Sequence, residues 1–289
     1  MSVPLSKYFL VITIILLSAK AQSTPIAGVF KEIATSYRLD DIQVSNPGEP
    51  RTYKTTLINS KDQRINILLS GGVVSIVGHD NDEFVILVND DKLPSGQSNV
   101  PEPVAKPLEN NTGLGFTIVK KGSILTLTQV SADPGVVKII VPNKTSVNYR
   151  EGGDGGQVLT MRDLKGEVEV IMKGSNVFLA NITGPLIANS SAGNLRVLFS
   201  TLNQIKPSAV STTHGNIDIT LPSSAKANLK LRSFKEKIDA DFVITPDGSE
   251  RIRVPGAPGG QVLIGSINGG GVEISSTTAN GKIFIRKAK

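Results

Sequence analysis

Asp80, Asp82 and Glu83 stand close together, with His79 just before them and Asp90 and Asp91 a short way on. Oxygen donors at this density suit calcium, a hard cation that takes several ligands at once. The spacing is not that of an EF-hand, because no glycine marks the sharp turn. The stretch EGGDGG at 151–156 has the composition of a glycine-rich calcium repeat but occurs once. These five acids are therefore calcium candidates set against a plainer reading, polar corners between strands. His79 and His214 are the two histidines. A lone imidazole rarely makes a site, and only His79 has carboxylates beside it.

Other pairings have familiar spacings. Ser223 and Lys226 fit Ser-x-x-Lys, yet that chemistry needs both residues on one helical turn, together with a Lys-Thr-Gly element. Here the tetrapeptide follows Pro222 between strands, and no Lys-Thr-Gly is present. Glu167 with Glu169, and Asp239 with Asp241, share an outward face at i, i+2, as glycosidase carboxylates must share a cleft. Such pairs also occur on any solvated strand. No nucleophile elbow, phosphate loop or His-Glu-x-x-His is found. The chain has no cysteine, which excludes disulfides, zinc-thiolate sites and thiol nucleophiles. No catalytic residue and no cofactor site is assigned.

The elements that would position these residues begin after a leader. A lysine, the apolar run YFLVITIILL and Ala19-Lys20-Ala21 predict a secretory signal peptide over residues 1–21, cleaved before Gln22. The expected location is periplasmic, cell-surface or extracellular, with no transmembrane segment after cleavage. The formal charge is +6, and losing Lys7 and Lys20 leaves +4. The basic residues are scattered among acids, so nucleic acid is not an expected partner. An acidic polysaccharide or lipid headgroup would feel a modest attraction. Aromatics are 4% of residues and tryptophan is absent, so stacking platforms for sugars are scarce. The apolar content is Val, Ile and Leu, which suit pleated surfaces.

Alternating runs separated by Gly, Asn, Asp and Pro predict an all-β protein. PIAGVFKEIATSYRLD reads as a helical turn or a leading strand. RINILLSGGVVSIVGHDNDEFVILVND reads as three strands with corners at Gly71-Gly72 and around His79–Asp82. The Pro-rich stretch 93–109 reads as an exposed loop, and FTIVKKGSILTLTQ as a hairpin turning at Lys121-Gly122. VVKIIVPNKTSVNY reads as a strand ended by Pro142 and then a second strand. From Gly166 a phrase repeats: GEVEV, GNLRV, GNIDI and GKIFI. Gly166, Gly174, Gly184 and Gly193 are followed in phase by Gly215, and later by Gly271 and Gly281. Periods near 20 residues, each with two short strands and tight corners, predict a single-stranded β-solenoid with an irregular β-rich beginning, over residues 22–289. In it Val168/Val170, Leu195/Val197, Ile217/Ile219 and Ile283/Ile285 stack inward. The glycines turn the corners by taking positive φ. Phe284 breaks the polar outward phase and is expected to cover the end of the stack, with GKIFI as an exposed edge strand.

GGVVSIVGHDNDEFVILV, the serial G-x-[IV]-x-[IV] units, GNIDITLPSSAKANLKLRS and INGGGVEISSTTANGKIFIRK resemble the bacterial DUF4097 family, from about residue 60 onward. The resemblance implies an exported β-solenoid and carries the label of candidate adhesin. Its relatives include proteins associated with cell-envelope stress, and it carries over no catalytic residues. The expected partner is a cell-surface or envelope polymer or protein. A cell-envelope stress-response component is one alternative, and a β-helix lyase or glycosidase is the enzyme alternative.

Overall fold

The computed structural model describes residues 50–89, 108–131, 135–153, 157–247 and 259–289. The expected leader, residues 22–49, Asp90, Asp91 and all but the last two residues of the Pro-rich stretch lie outside the described residues. The described residues up to Ala288 belong to one compact unit.

The described chain is strand after strand, with one 3-10 turn at Ser60–Asp62. The first strands are β1 (Arg51–Thr56), β2 (Arg64–Leu69), β3 (Val73–His79), β4 (Glu83–Asn89), β5 (Phe116–Lys121), β6 (Ile124–Gln129), β7 (Val136–Pro142) and β8 (Ser146–Glu151). The middle run is β9 (Val158–Leu164), β10 (Val168–Met172), β11 (Asn176–Ile182), β12 (Leu186–Ala192), β13 (Leu195–Phe199), β14 (Ser208–His214) and β15 (Ile217–Leu221). Then come β16 (Ala227–Ser233), β17 (Ile238–Ala240), β18 (Thr245–Pro246), β19 (Gln261–Ile267), β20 (Val272–Thr278) and β21 (Ile283–Lys287). The expected corner at Gly71-Gly72 and the hairpin turn at Gly122 fall between these strands, and the corner around His79–Asp82 begins one residue later than expected, since His79 ends β3.

Two large mixed sheets result, and neither closes into a barrel. Sheet A runs β1-β4-β7-β3-β9-β11-β13-β15-β21-β17, and sheet B runs β18-β19-β16-β20-β14-β12-β10-β8-β2-β6-β5. From β8 to β15 consecutive strands alternate between the sheets, and each pairs in parallel with the strand two positions away. We call one strand of each sheet a rung. Antiparallel pairing is confined to the sheet ends, at β1, β4, β5, β18 and β19.

Period-two alternation fills the space between the sheets. In sheet A, Ile139, Ile76, Met161, Leu179, Val197, Ile219 and Ile285 face one another in register and are buried. In sheet B the matching column is Leu127, Ile67, Tyr149, Val170, Ala188, Val210, Ser276 and Leu231. Apart from Ser276, the members of both columns belong to one core cluster. Each buried Ile, Leu or Val contributes roughly 1.5–3 kcal/mol relative to exposure.

The corner glycines owe their identity mainly to the rung below. A Cβ at Gly184 would strike the carbonyl oxygen of Gly166, and one at Gly166 that of Thr145. On the opposite corner, Gly281 lies against the Gly215 carbonyl, Gly215 against Gly193, and Gly193 against Ser175. Of the seven predicted corners only Gly193 (φ 111°) and Gly215 (φ 150°) take positive φ, so dihedral freedom is the lesser reason. Beside this second column runs an asparagine ladder. The Asn194 amide donates to Asn176 Oδ1, the Asn216 amide to Asn194 Oδ1, and the Lys282 amide to Asn216 Oδ1, each at 2.8 Å. Lysine has no acceptor to pass on, so the ladder stops there.

Chain order and stacking order part company at both ends. The β20–β21 rung follows β16–β19 in the chain but lies between β14–β15 and β16–β17. The β2–β3 rung likewise lies between β6–β7 and β8–β9. This corrects the expected place of GKIFI. β21 pairs with both β15 and β17, so it is no edge. Phe284 sits between Asp218 and Asp239 under the Arg286 guanidinium, 4.7 Å from its ring centre, and caps nothing. Among the described residues the outermost strands at that end are β17 and β18, three and two residues long.

Candidate functional site

Of the acids first suspected of chemistry, Asp80 is tied into a turn by its side chain, and Asp82 and Glu83 bond through their main-chain carbonyls. Asp80 Oδ1 accepts from Asn143 Nδ2 at 2.6 Å and lies 3.3 Å from Lys165 Nζ. The Asn143 hydrogen bond, with help from Lys165, holds the Asp80 carboxyl below its ordinary range. His79 Nε2 meets the Glu83 carbonyl at 2.7 Å, and the Asp82 carbonyl accepts the Leu57 amide. Among the described residues no three His, Cys, Asp or Glu side chains gather to hold a metal. Glu151 of EGGDGG points inward. It is buried and accepts from the Lys173 amide at 2.6 Å, the Gly174 amide at 3.3 Å and Ser175 Oγ at 2.8 Å. It therefore satisfies a corner's donors, and periodicity alone did not single it out.

Ser223 and Lys226 lie in the turn between β15 and β16, where the Lys226 carbonyl accepts from Gln204 Nε2. Glu167 is ion-paired with Lys206, and Glu169 accepts from Asn148 Nδ2 at 2.7 Å. His214 is exposed at the end of β14. Asp241 accepts the Lys287 amide at 3.2 Å.

What the fold assembles instead is a row across the outer face of sheet B. Arg150, Ile171, Asn189, Ser211, Thr277 and Arg232 stand opposite one another on β8, β10, β12, β14, β20 and β16. Arg150, Asn189, Thr277 and Arg232 are exposed, and Ile171 and Ser211 half-buried. Asn189 Nδ2 donates to Ser211 Oγ at 2.8 Å, leaving its carbonyl oxygen to accept. Five strand steps at about 4.8 Å separate the arginines by roughly 24 Å. The adjoining row holds Asn148, Glu169, Ile187, Ala209, Ser275 and Lys230. Both nearby carboxylates are occupied, Glu169 by Asn148 and Glu273 by Lys230 at 2.6 Å. Neither arginine pairs with a carboxylate among the described residues; Arg232 lies 5.7 Å over the Phe234 ring.

The outer face of sheet A carries a second cluster. Phe178, Arg196, Asp218 and Phe284 are neighbours in register on β11, β13, β15 and β21. Arg286 Nε donates to Asp218 Oδ2 at 2.8 Å. That bond, and then the nearby acids, raise the arginine's pKa against the effect of burial. Asp218 Oδ1 and Arg196 Nε are buried and make no hydrogen bond among the described residues.

No family model and no curated relative matches the chain, so the likeness to the DUF4097 family rests on the residues quoted above. Among solved structures it is similar to a candidate cell adhesion protein from Clostridium sporogenes, at 14% identity and a TM-score of 0.41, over 83% of this chain and 100% of that one. It is also similar to a candidate adhesin from Bacteroides fragilis, at 13% identity and a TM-score of 0.35, over 83% and 98% of the two chains. A third, from Parabacteroides merdae, has 11% identity and a TM-score of 0.24 over 84% and 97%. Among the described residues no helix is long and apolar enough to cross a membrane.

Proposed function

We propose that this chain is an exported, non-catalytic protein of the cell surface or envelope that binds an extended partner, and that its two sheets form a β-solenoid. The observation that carries the binding reading is the exposed row from Arg150 to Arg232, in register across six strands. A surface built this way spreads contacts over several rungs instead of focusing them in a cleft. The alternation of strands between the sheets from β8 to β15 supports the solenoid, and the leader-like start supports export. Sedimenting the purified chain with isolated envelope material tests the reading. The protein is expected in the pellet, and a protein left wholly in the supernatant refutes it.

A carbohydrate-active enzyme is the second reading, favoured by Asp218 between Arg196 and Arg286 on one face. Release of reducing ends or unsaturated products from an acidic polysaccharide, lost in Asp218→Asn, would establish it in place of the first.

A further inference from the structure

We infer that the row from Arg150 to Arg232 holds a single chain of an acidic polysaccharide, laid across the strands of sheet B. The inference rests on the surface-binding reading and names its ligand. The charge pattern comes first. On this face the carboxylates are already engaged, Glu169 with Asn148 and Glu273 with Lys230. Within the row itself the charged groups are the two exposed guanidinium groups at its ends. A planar guanidinium takes a carboxylate through two parallel hydrogen bonds, which an ammonium cannot do. The face therefore asks for an anionic partner whose charges are sparse and set well apart.

Between the arginines the row offers neutral polar groups. The Asn189 carbonyl oxygen accepts, while the Ser211 and Thr277 hydroxyls donate and accept. Ile171 in the row and exposed Ile187 beside it present small apolar patches to the faces of sugar rings. Successive strands are about 4.8 Å apart, close to the rise of one sugar residue in an extended glycan. One residue can thus meet each strand, and a chain of roughly five or six spans the row.

The same features disfavour other polyanions. Nucleic acid brings a phosphate at every nucleotide and calls for stacking rings. No member of the row is aromatic, the one ring beside it being Phe234 under Arg232, and Glu169 stands in the adjoining row. A membrane surface would reward a dense basic cluster, whereas the two arginines of the row stand roughly 24 Å apart.

The test uses the full chain with polygalacturonate, alginate, neutral dextran and vesicles containing anionic phospholipid. Both uronate polymers are expected to bind at least ten-fold more tightly than dextran, and the vesicles not at all. Arg150→Ala and Arg232→Ala are each expected to weaken uronate binding five-fold or more, with Arg→Lys restoring only part. Lys54→Ala and Lys282→Ala, each removing one charge from an exposed site off this row, are expected to leave affinity unchanged. Oligogalacturonides shorter than about four residues cannot reach both arginines and are expected to be insensitive to losing one of them. Preference for vesicles or dextran, or an equal effect of the control pair, overturns the inference. If the chain pellets with envelope material yet binds no uronate polymer, the ligand class is wrong and the surface reading survives. If it does neither, both fall.

Discussion

Ser276 occupies a place its column reserves for aliphatics, between Val210 and Leu231, and its buried hydroxyl has no partner among the described residues. A buried donor without an acceptor costs about 1 kcal/mol or more. Ser276→Ala, which deletes the hydroxyl and nothing else, is expected to raise stability by about 1 kcal/mol, read from the urea midpoint. A lower midpoint would mean the oxygen is used. Tyr149, in the same column, is a different case. Its hydroxyl donates to Gln157 Oε1 at 2.5 Å, and Gln157 Nε2 donates to the Leu69 carbonyl. Burial, and secondarily the Glu151 carboxylate, pushes the Tyr149 pKa far above its ordinary value. The folded chain thus keeps a proton that the unfolded chain sheds near pH 10. The stability this contributes is whole below about pH 10 and drains away as pH rises towards the folded value. Urea unfolding as a function of pH is expected to show that alkaline decline, with a flatter slope in Tyr149→Phe. The variant is also less stable at neutral pH, because Gln157 Oε1 loses its donor.

The phrase GNIDI turns out to describe two devices in one corner. Gly215 permits close stacking on the Gly193 carbonyl, and Asn216 links the rungs on either side through its side chain and amide. Asn194→Ala removes the acceptor for the Asn216 amide and is expected to cost about 1–2 kcal/mol, with Asn194→Asp costing less. Hydrogen exchange at the Asn216 amide should accelerate while that at Lys282 stays slow. The strand phases, the hairpin at Gly122 and the inward Ile217 and Ile283 were legible because alternation is a local signal. Glycine at the corners was legible too, but its reason depends on a carbonyl one rung away, which no local window contains. Asn194 and Asn216 read merely as outward polar residues for the same cause. The row from Arg150 to Arg232 was invisible, since its members come from six strands that only the pairing register aligns.

At the scale of the molecule, the β20–β21 rung bonds to a neighbour on both sides in both sheets. A chain cut after Ile267 therefore loses an interior layer and leaves β14–β15 and β16–β17 facing a gap. It is expected to unfold well beyond the cut, seen as loss of strand signal in circular dichroism and of amide protection at Ile219 and Leu229. A chain lacking only β1, an edge strand paired on one side, is expected to keep its cooperative transition. Contacts between residues so distant in sequence also slow folding. The interleaving has a further bearing on traffic. Polypeptides leave a ribosome or thread a secretion channel from the amino end, so residues 272–287 arrive after both of the walls they must join. Until they emerge the keystone is missing, so the stack is completed only by the last part of the chain to be made.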